Sequence, residues 1–242
     1  KGIVGISYLP HGIAVAVANN TDNDRLGLAY CEFIHTKNAA EQATVLRELV
    51  ARHKLDEYAC HLVLNSENYR RVNIEAPVVA EMEMTDAIRW KIADLIDIPV
   101  DKAIIDYYAA PTSMRAASNK MLEVVASPNE LIKDLADKSK QAGLRLKVID
   151  ILETVLRNLA VLLPENKRGV AVLYLKESSG TILIQKDGVI YLSRNFDIGY
   201  WNLGLAATNN SGSNPNSVEQ NNLALEIQRS LDYVESFYGI PP

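Results

Sequence analysis

One pattern occurs twice in this chain and constrains its fold more than any other feature. "GIVGISYLPHGIAVAVANN", from Gly2, reads as strand, turn, strand, with Pro10, His11 and Gly12 supplying the turn chemistry. "GVAVLYLKESSGTILI", from Gly169, has the same rhythm, so that Gly2 meets Gly169 and Ser7 meets Tyr174. Each copy goes on to a third strand. In the first it is Leu26 to His35, reached through the polar loop "NNTDND"; in the second it is Val189 to Phe196, after the Asp187-Gly188 hairpin turn. A helix follows each meander. The echo is one of pattern and not of identity, and it implies two lobes of similar topology.

Between the two copies the punctuation is clear. Asn38 and Glu41 form a capping-box pattern for a helix from Ala39 to His53, with Leu46, Leu49 and Val50 on its apolar stripe. Cys60 to Asn65 is a continuously apolar run, expected as a strand buried on both faces. "EAPVVAEME" is expected as a loop. A helix is predicted from Met84 to Ile96, with Met84, Ile88, Ile92, Leu95 and Ile96 on one face and Trp90 nearly opposite them. Strands are predicted at Lys102 to Tyr108, Lys120 to Ser127 and Arg145 to Ile151. Between the last two lies a helix capped by Ser127, with Pro128 in its first turn, Glu130 completing a capping box and Gly143 stopping it. Leu152 to Leu163 is a helix that ends before Pro164. After the second meander, "ATNNSGSNPNS" is a polar, turn-rich connection. The last helix runs from Val218 to Tyr238, with Ser217 and Gln220 as its capping box, Gly239 and Pro241 as its stop, and Leu223, Ile227, Leu231 and Val234 as its core stripe.

Composition excludes several classes of function. A formal net charge of -5, with no run of Lys and Arg, argues against a nucleic-acid binder. No apolar run is long enough to span a bilayer, so direct membrane insertion is not expected. Cys31 and Cys60 sit far apart in apolar, strand-like runs and are expected as buried, reduced thiols, in a soluble, reducing compartment. Lys1 is not a native start, which implies further sequence upstream.

Four blocks carry a resemblance: "ENYRRVNIEAP", "AIRWKIADLIDIPVDKAIIDYY", "AGLRLKVIDILETVLRNLA" and "LEIQRSLDYVES". Together with the order of elements over nearly the whole chain, they resemble the PilM/GspL-like family of type IV pilus and type II secretion proteins, in its mannose-sensitive-haemagglutinin (MSHA) pilus branch. The resemblance implies an α/β, actin-like (ribonuclease-H-like) two-lobe fold with a small inserted α+β subdomain in the first lobe. Residues 1–167 would form the first lobe, with the insertion at about 77–143, and residues 168–242 the second, its adenine-side segment lying beyond Pro242. It further implies a cytoplasmic scaffold at the inner-membrane face of a Gram-negative bacterium. Its expected partners are the cytoplasmic tail of a PilN-like bitopic inner-membrane protein, docked beside the inserted subdomain, together with assembly ATPases and platform proteins. The alternatives are a divergent actin-like ATPase that still binds ATP and Mg, and the cytoplasmic domain of a GspL-like secretion protein.

Actin-like ATPases open each lobe with a hairpin whose first strand ends in Asp, followed two residues later by Gly. The carboxylate orients a metal and its water, and the glycine lets main-chain N–H groups approach phosphate. The matching positions here are Ser7 and Leu9, then Tyr174 and Lys176. Both acids and both glycines are absent. Ser7 offers no charge to a hard cation, and Pro10 after Leu9 removes an N–H. Lys176 has two readings, a point-charge clamp on phosphate or a solvated lysine beside Glu177. The expectation is that the chain is no enzyme and holds no ATP, Mg or other cofactor.

Other chemistry is sparse. There is no GxxxxGK[ST] loop, no nucleophile elbow and no pair among His11, His35, His53 and His61 with metal-ligand spacing, so no metal is expected. Asp106 and Asp150 sit in strand-like runs, as functional carboxylates or as hydrogen-bonded structural ones. Trp90 either packs on a neighbouring element or anchors a partner, with Arg89 on the rim or in solvent.

Overall fold

The computed structural model describes residues 2–20, 26–113, 120–205 and 217–240. Two compact units divide the chain: Lys1–Tyr108 with Glu123–Leu152, and Ala109–Leu122 with Glu153–Pro242.

In the first unit, β1 (Ile3–Leu9), β2 (Gly12–Asn20) and β3 (Leu26–His35) form the expected antiparallel meander. Two parallel strands, β4 (Ala59–Leu64) and β8 (Arg145–Ile151), extend it on the β1 side, giving the order β3-β2-β1-β4-β8. Strict alternation sends Val4, Ile6, Ile13, Val15, Val17, Cys60, Leu62 and Leu64 to one face. There they pack with Leu46, Leu49 and Val50 of α1 (Ala39–His53) and Leu135 of α3 (Asn129–Gln141). Each fully buried Leu or Ile contributes about 1.5–3 kcal/mol. Burial of β4 on both faces was expected; its other face, Ala59, His61 and Val63, is only half-buried, because this core lies on one side of the sheet.

α1 is capped as its sequence predicts. Asn38 Oδ1 accepts the Glu41 N–H at 2.9 Å, while Glu41 Oε2 reaches back to the Lys37 N–H at 2.6 Å. α3 departs from expectation at its start. Its cap residue is Pro128, and the Ser127 hydroxyl instead donates to the Asn68 carbonyl at 2.8 Å, fastening strand to loop. Gly143, at φ +83°, ends it as expected, with Leu144 N–H on the Ser139 carbonyl and Gly143 N–H on that of Lys140.

A small sheet holds β5 (Arg70–Glu75), β6 (Ala103–Ala110) and β7 (Met121–Pro128) in the order β5-β7-β6. β5 was not foreseen, because "RRVNIE" is too polar to show an alternation. It is held as a strand by a half-buried ion pair, Arg71 to Glu123 at 2.8 Å, and by Asn73 Nδ2 donating to the same carboxylate at 3.2 Å. α2 (Met84–Ile92) packs on β5 and buries Ile88 and Ile92. It stops short of the predicted Ile96. The Leu95 N–H closes a three-residue turn onto the Ile92 carbonyl, and Leu95 is exposed instead of joining the apolar stripe.

The second unit holds α4 (Leu152–Val161), its first residue apart, and the meander β9 (Val170–Leu175), β10 (Gly180–Lys186) and β11 (Val189–Phe196), in the order β11-β10-β9. Asp187 and Gly188 turn β10 into β11, both at positive φ, +49° and +76°. α5 (Ser217–Tyr238) lays Leu223, Ile227, Leu231 and Val234 on Ile182, Ile184, Phe196, Ile198 and Leu203. It begins at Ser217 itself and ends at Gly239, φ +66°. Most of the predicted connection at 207–217 lies outside the described residues, as do Pro241 and most of the loop between β2 and β3.

Candidate functional site

The β1–β2 hairpin is where a phosphate loop would sit in the first unit. Four of its main-chain acceptors are collected by protein groups. Gln42 Nε2, from α1, donates to the Leu9 carbonyl at 2.9 Å and the Gly12 carbonyl at 3.4 Å. Asn65 Nδ2 donates to the Tyr8 carbonyl at 2.6 Å, and the Thr36 N–H to that of His11 at 3.0 Å. Ser7 pairs with Ala14 and gives its hydroxyl to the Val63 carbonyl at 3.2 Å, inside the sheet. A phosphate cradle needs converging N–H donors. This turn has a proline, an aliphatic Leu9 and a set of occupied carbonyls. Gly12 serves packing, since a Cβ there would lie 2.2 Å from the Ile34 carbonyl oxygen.

The β9–β10 hairpin reaches a similar end by another route. Lys176 N–H donates to the Ser179 carbonyl at 2.8 Å, closing the loop on itself. Residues 199–201 then clasp it: Tyr200 N–H meets the Lys176 carbonyl at 2.8 Å and Trp201 N–H that of Glu177 at 3.0 Å. Gly199 permits the approach, because a Cβ there would lie 2.3 Å from the Glu177 carbonyl oxygen. Tyr174, paired with Thr181, is 36% exposed, and partial burial pushes its phenol above the ordinary value. No carboxylate stands at either strand end.

Trp90 projects from α2 with 84% of its surface exposed, away from Ile88 and Ile92, so its ring is not packed on a neighbouring element. Val78 and Met82, just before the helix, are also fully or almost fully exposed. Arg89 beside it is a strut. Its guanidinium donates to the Val100 carbonyl and, at 3.2 Å, to that of Ala103. Lys91 Nζ donates to the Glu75 carbonyl at 2.7 Å. Arg70 grips Asp97 through two bonds of 2.7 and 2.9 Å, and that hydrogen bonding holds the Asp97 carboxyl below its usual range.

The remaining candidates have local roles. Asp106 and Asp150 each accept the N–H of the next residue, at 2.8 and 2.9 Å. His53 stacks on Tyr30 and His35 meets Phe33 edge-on. Among the described residues no three His, Cys, Asp or Glu are grouped to hold a metal. Cys60 is buried, and burial pushes its thiol up to about 12. Cys31 was expected to be buried and is exposed, because β3 is the outer strand of its sheet and Cys31 lies opposite Ala16, on the face away from the core. An open cleft of about 220 Å³ lies between the end of β11 and α5, lined by Phe196, Ile198, Leu225, Glu226 and Arg229, the last two 3.1 Å apart. Gln42 and Asn65 were not singled out in the sequence, and nothing there sets them apart from other polar side chains.

No family model and no curated protein matches this sequence. Solved structures do match. PilM, in a PilM–PilN type IV pilus biogenesis complex, is similar with a TM-score of 0.69 at 16% identity, over 96% of this chain and 77% of that one. The cytoplasmic domain of EpsL, an inner-membrane component of the type II secretion system of Vibrio cholerae, is similar with a TM-score of 0.56 at 14% identity, over 89% and 80%. A Bacteroides thetaiotaomicron protein of actin-like ATPase fold and unknown function has a TM-score of 0.51 at 9% identity, over 96% and 77%. The fold is therefore of the actin-like ATPase type, as expected from the sequence. In the described residues no helix is long and apolar enough to cross a membrane.

Proposed function

We propose that this chain is a non-catalytic cytoplasmic scaffold of an MSHA-like type IV pilus assembly machine, of the MshI kind, at the inner-membrane face of a Gram-negative bacterium. In this role it holds the cytoplasmic tail of a PilN-like bitopic inner-membrane protein, with an assembly ATPase and platform proteins as further partners. ATP and Mg have no part in its work. The observation that carries the proposal is the state of the two hairpins: neither has a strand-end carboxylate, and carbonyls of both, those of Tyr8, Leu9 and His11 and of Lys176 and Glu177, are tied to protein donors. The likeness to PilM, whose structure was solved with PilN, supports the choice of partner, and the quoted sequence blocks support the MSHA branch.

A second reading, the cytoplasmic domain of a GspL-like secretion protein, is favoured by the likeness to EpsL. Passing solubilised inner-membrane proteins of the source cell over the immobilised chain separates the two. Retention of a bitopic pilus protein is expected, weakened at least tenfold by Trp90→Ala with the fold intact. Recovery of secretion components alone supports the EpsL-like reading, and retention of no inner-membrane protein contradicts both. Unchanged capture by Trp90→Ala removes Trp90 as the anchor.

A further inference from the structure

Among the described residues β3 is the terminal strand of the five-stranded sheet, and its main chain pairs there on one side only, with β2. Folded proteins guard such edges with lysine, proline or inward charge, because an open ladder recruits another strand. "LGLAYCEFIH" has no proline, lysine or arginine; its one inward charge, Glu32, is tied to the Tyr30 hydroxyl of the same strand. From Tyr30 to His35 its register with β2 is regular.

The register slips once, between Val17 and Ala18, where β3 accommodates Ala29 as an extra residue. That slip decides which side chains share a face. Tyr30, Glu32 and Ile34 lie opposite Val17, Val15 and Ile13, on the core side, where the Tyr30 ring stacks on His53 at 4.2 Å. Leu28, Cys31 and Phe33 lie opposite Ala18, Ala16 and Ala14, on the other side. Leu28 and Phe33 are 66% and 41% exposed, and Cys31 between them is exposed too.

We infer that β3 is a self-pairing edge, onto which a second copy of this chain adds its own β3, antiparallel, about a two-fold axis at Cys31. In such a pairing residues that face each other across the axis point to the same side of the joined sheet, so the axis must pass through a residue and not between two. At Glu32 it would oppose two carboxylates, which is unfavourable. At Tyr30 it would set Cys31 against the extra residue, the partner's Ala29. At Cys31 the two thiols meet, Tyr30 stands opposite the partner's Glu32, and Phe33 reaches the slip where the partner's Leu28 lies. The edge free of lysine and arginine, the one acid–phenol match and the exposed apolar pair all suit this occupant. The regular stretch is short, so the dimer should be weak and concentration-dependent. The inference does not depend on the pilus reading.

Directly opposed Cα atoms in an antiparallel pair lie about 4.5–5.5 Å apart, within reach of a short bismaleimide. Cys60 is buried, so Cys31 is the reactive thiol in the folded chain. Sedimentation velocity of the reduced chain should show a monomer–dimer equilibrium, and bismaleimidoethane should link Cys31 to Cys31 in proportion to the dimer present. Phe33→Lys and, separately, Leu28→Lys should each lower the dimer fraction at least tenfold while circular dichroism is unchanged, both side chains being exposed. Cys31→Ser should keep the dimer in sedimentation and lose the link. A chain that stays monomeric at every concentration, or a dimer that both lysine variants leave intact, overturns the inference.

Discussion

The β1–β2 and β9–β10 hairpins have the same outline and are secured by different means. In the first, side-chain amides of Gln42 and Asn65 reach in from α1 and from the end of β4 to hold the turn's carbonyls. In the second, main-chain N–H groups of Tyr200 and Trp201 do the holding. The first hairpin therefore depends on which side chains stand at two distant positions. The second depends on the backbone path of residues 199–201, which Gly199 permits and Asn202 Oδ1 holds by accepting the Gly199 N–H at 2.9 Å. One fold element occurs twice and is secured by two independent solutions.

The largest expected effect tests what the hairpins share. Gly12→Ala and Gly199→Ala each drive a methyl into a carbonyl oxygen of the neighbouring segment, at 2.2 and 2.3 Å. Each should lower stability by about 1–3 kcal/mol in urea denaturation. A tolerated alanine at either site would mean that the close approach there is not needed.

A smaller effect tests where they differ. Gln42→Ala and Asn65→Ala should each cost about 0.5–1.5 kcal/mol, since each removes a hydrogen bond to a carbonyl. Glu177→Ala, in the second loop, should stay within about 0.5 kcal/mol, because that loop is held through the Glu177 carbonyl and not its exposed side chain. Equal costs on the two sides would remove the distinction.

The smallest effect near neutrality, growing only in alkali, concerns what lies under the first hairpin. Burial pushes the Cys60 thiol and, as its largest cause, the Tyr8 phenol up to about 12. A folded-state value above the unfolded one means that the unfolded chain loses its proton first as pH rises. The stability these groups contribute is complete below about pH 8.5 for the thiol and about pH 10 for the phenol, and is lost as pH approaches 12. Urea midpoints should fall between pH 8.5 and 11, and fall less in Cys60→Ala. An identical decline in that variant would assign the loss elsewhere.

Much of this was legible in the sequence, and the exceptions have physical causes. The turn residues Pro10 to Gly12, the continuous apolar run from Cys60 and the Asn38–Glu41 cap are local signals, and they placed strands and helix correctly. β5 was hidden because its strand character rests on Arg71 and Asn73 meeting Glu123, a residue about fifty positions away. Cys31 was misjudged because a strand-like apolar run does not reveal that its strand is an edge. Ser127 looked like a cap since its hydroxyl's true partner, the Asn68 carbonyl, is set by tertiary structure. At the candidate site, the missing acids and glycines at Ser7, Leu9, Tyr174 and Lys176 were visible directly. The groups that took over the turn, Gln42 and Asn65, acquire their role only once α1 and β4 are in place.

Isothermal titration of the purified chain with ATP and Mg tests most directly whether the hairpins serve architecture in place of nucleotide. The account predicts no saturable heat up to millimolar ATP, and no change when Lys176 is replaced by alanine. Stoichiometric binding that Ser7→Ala or Lys176→Ala abolishes would contradict it.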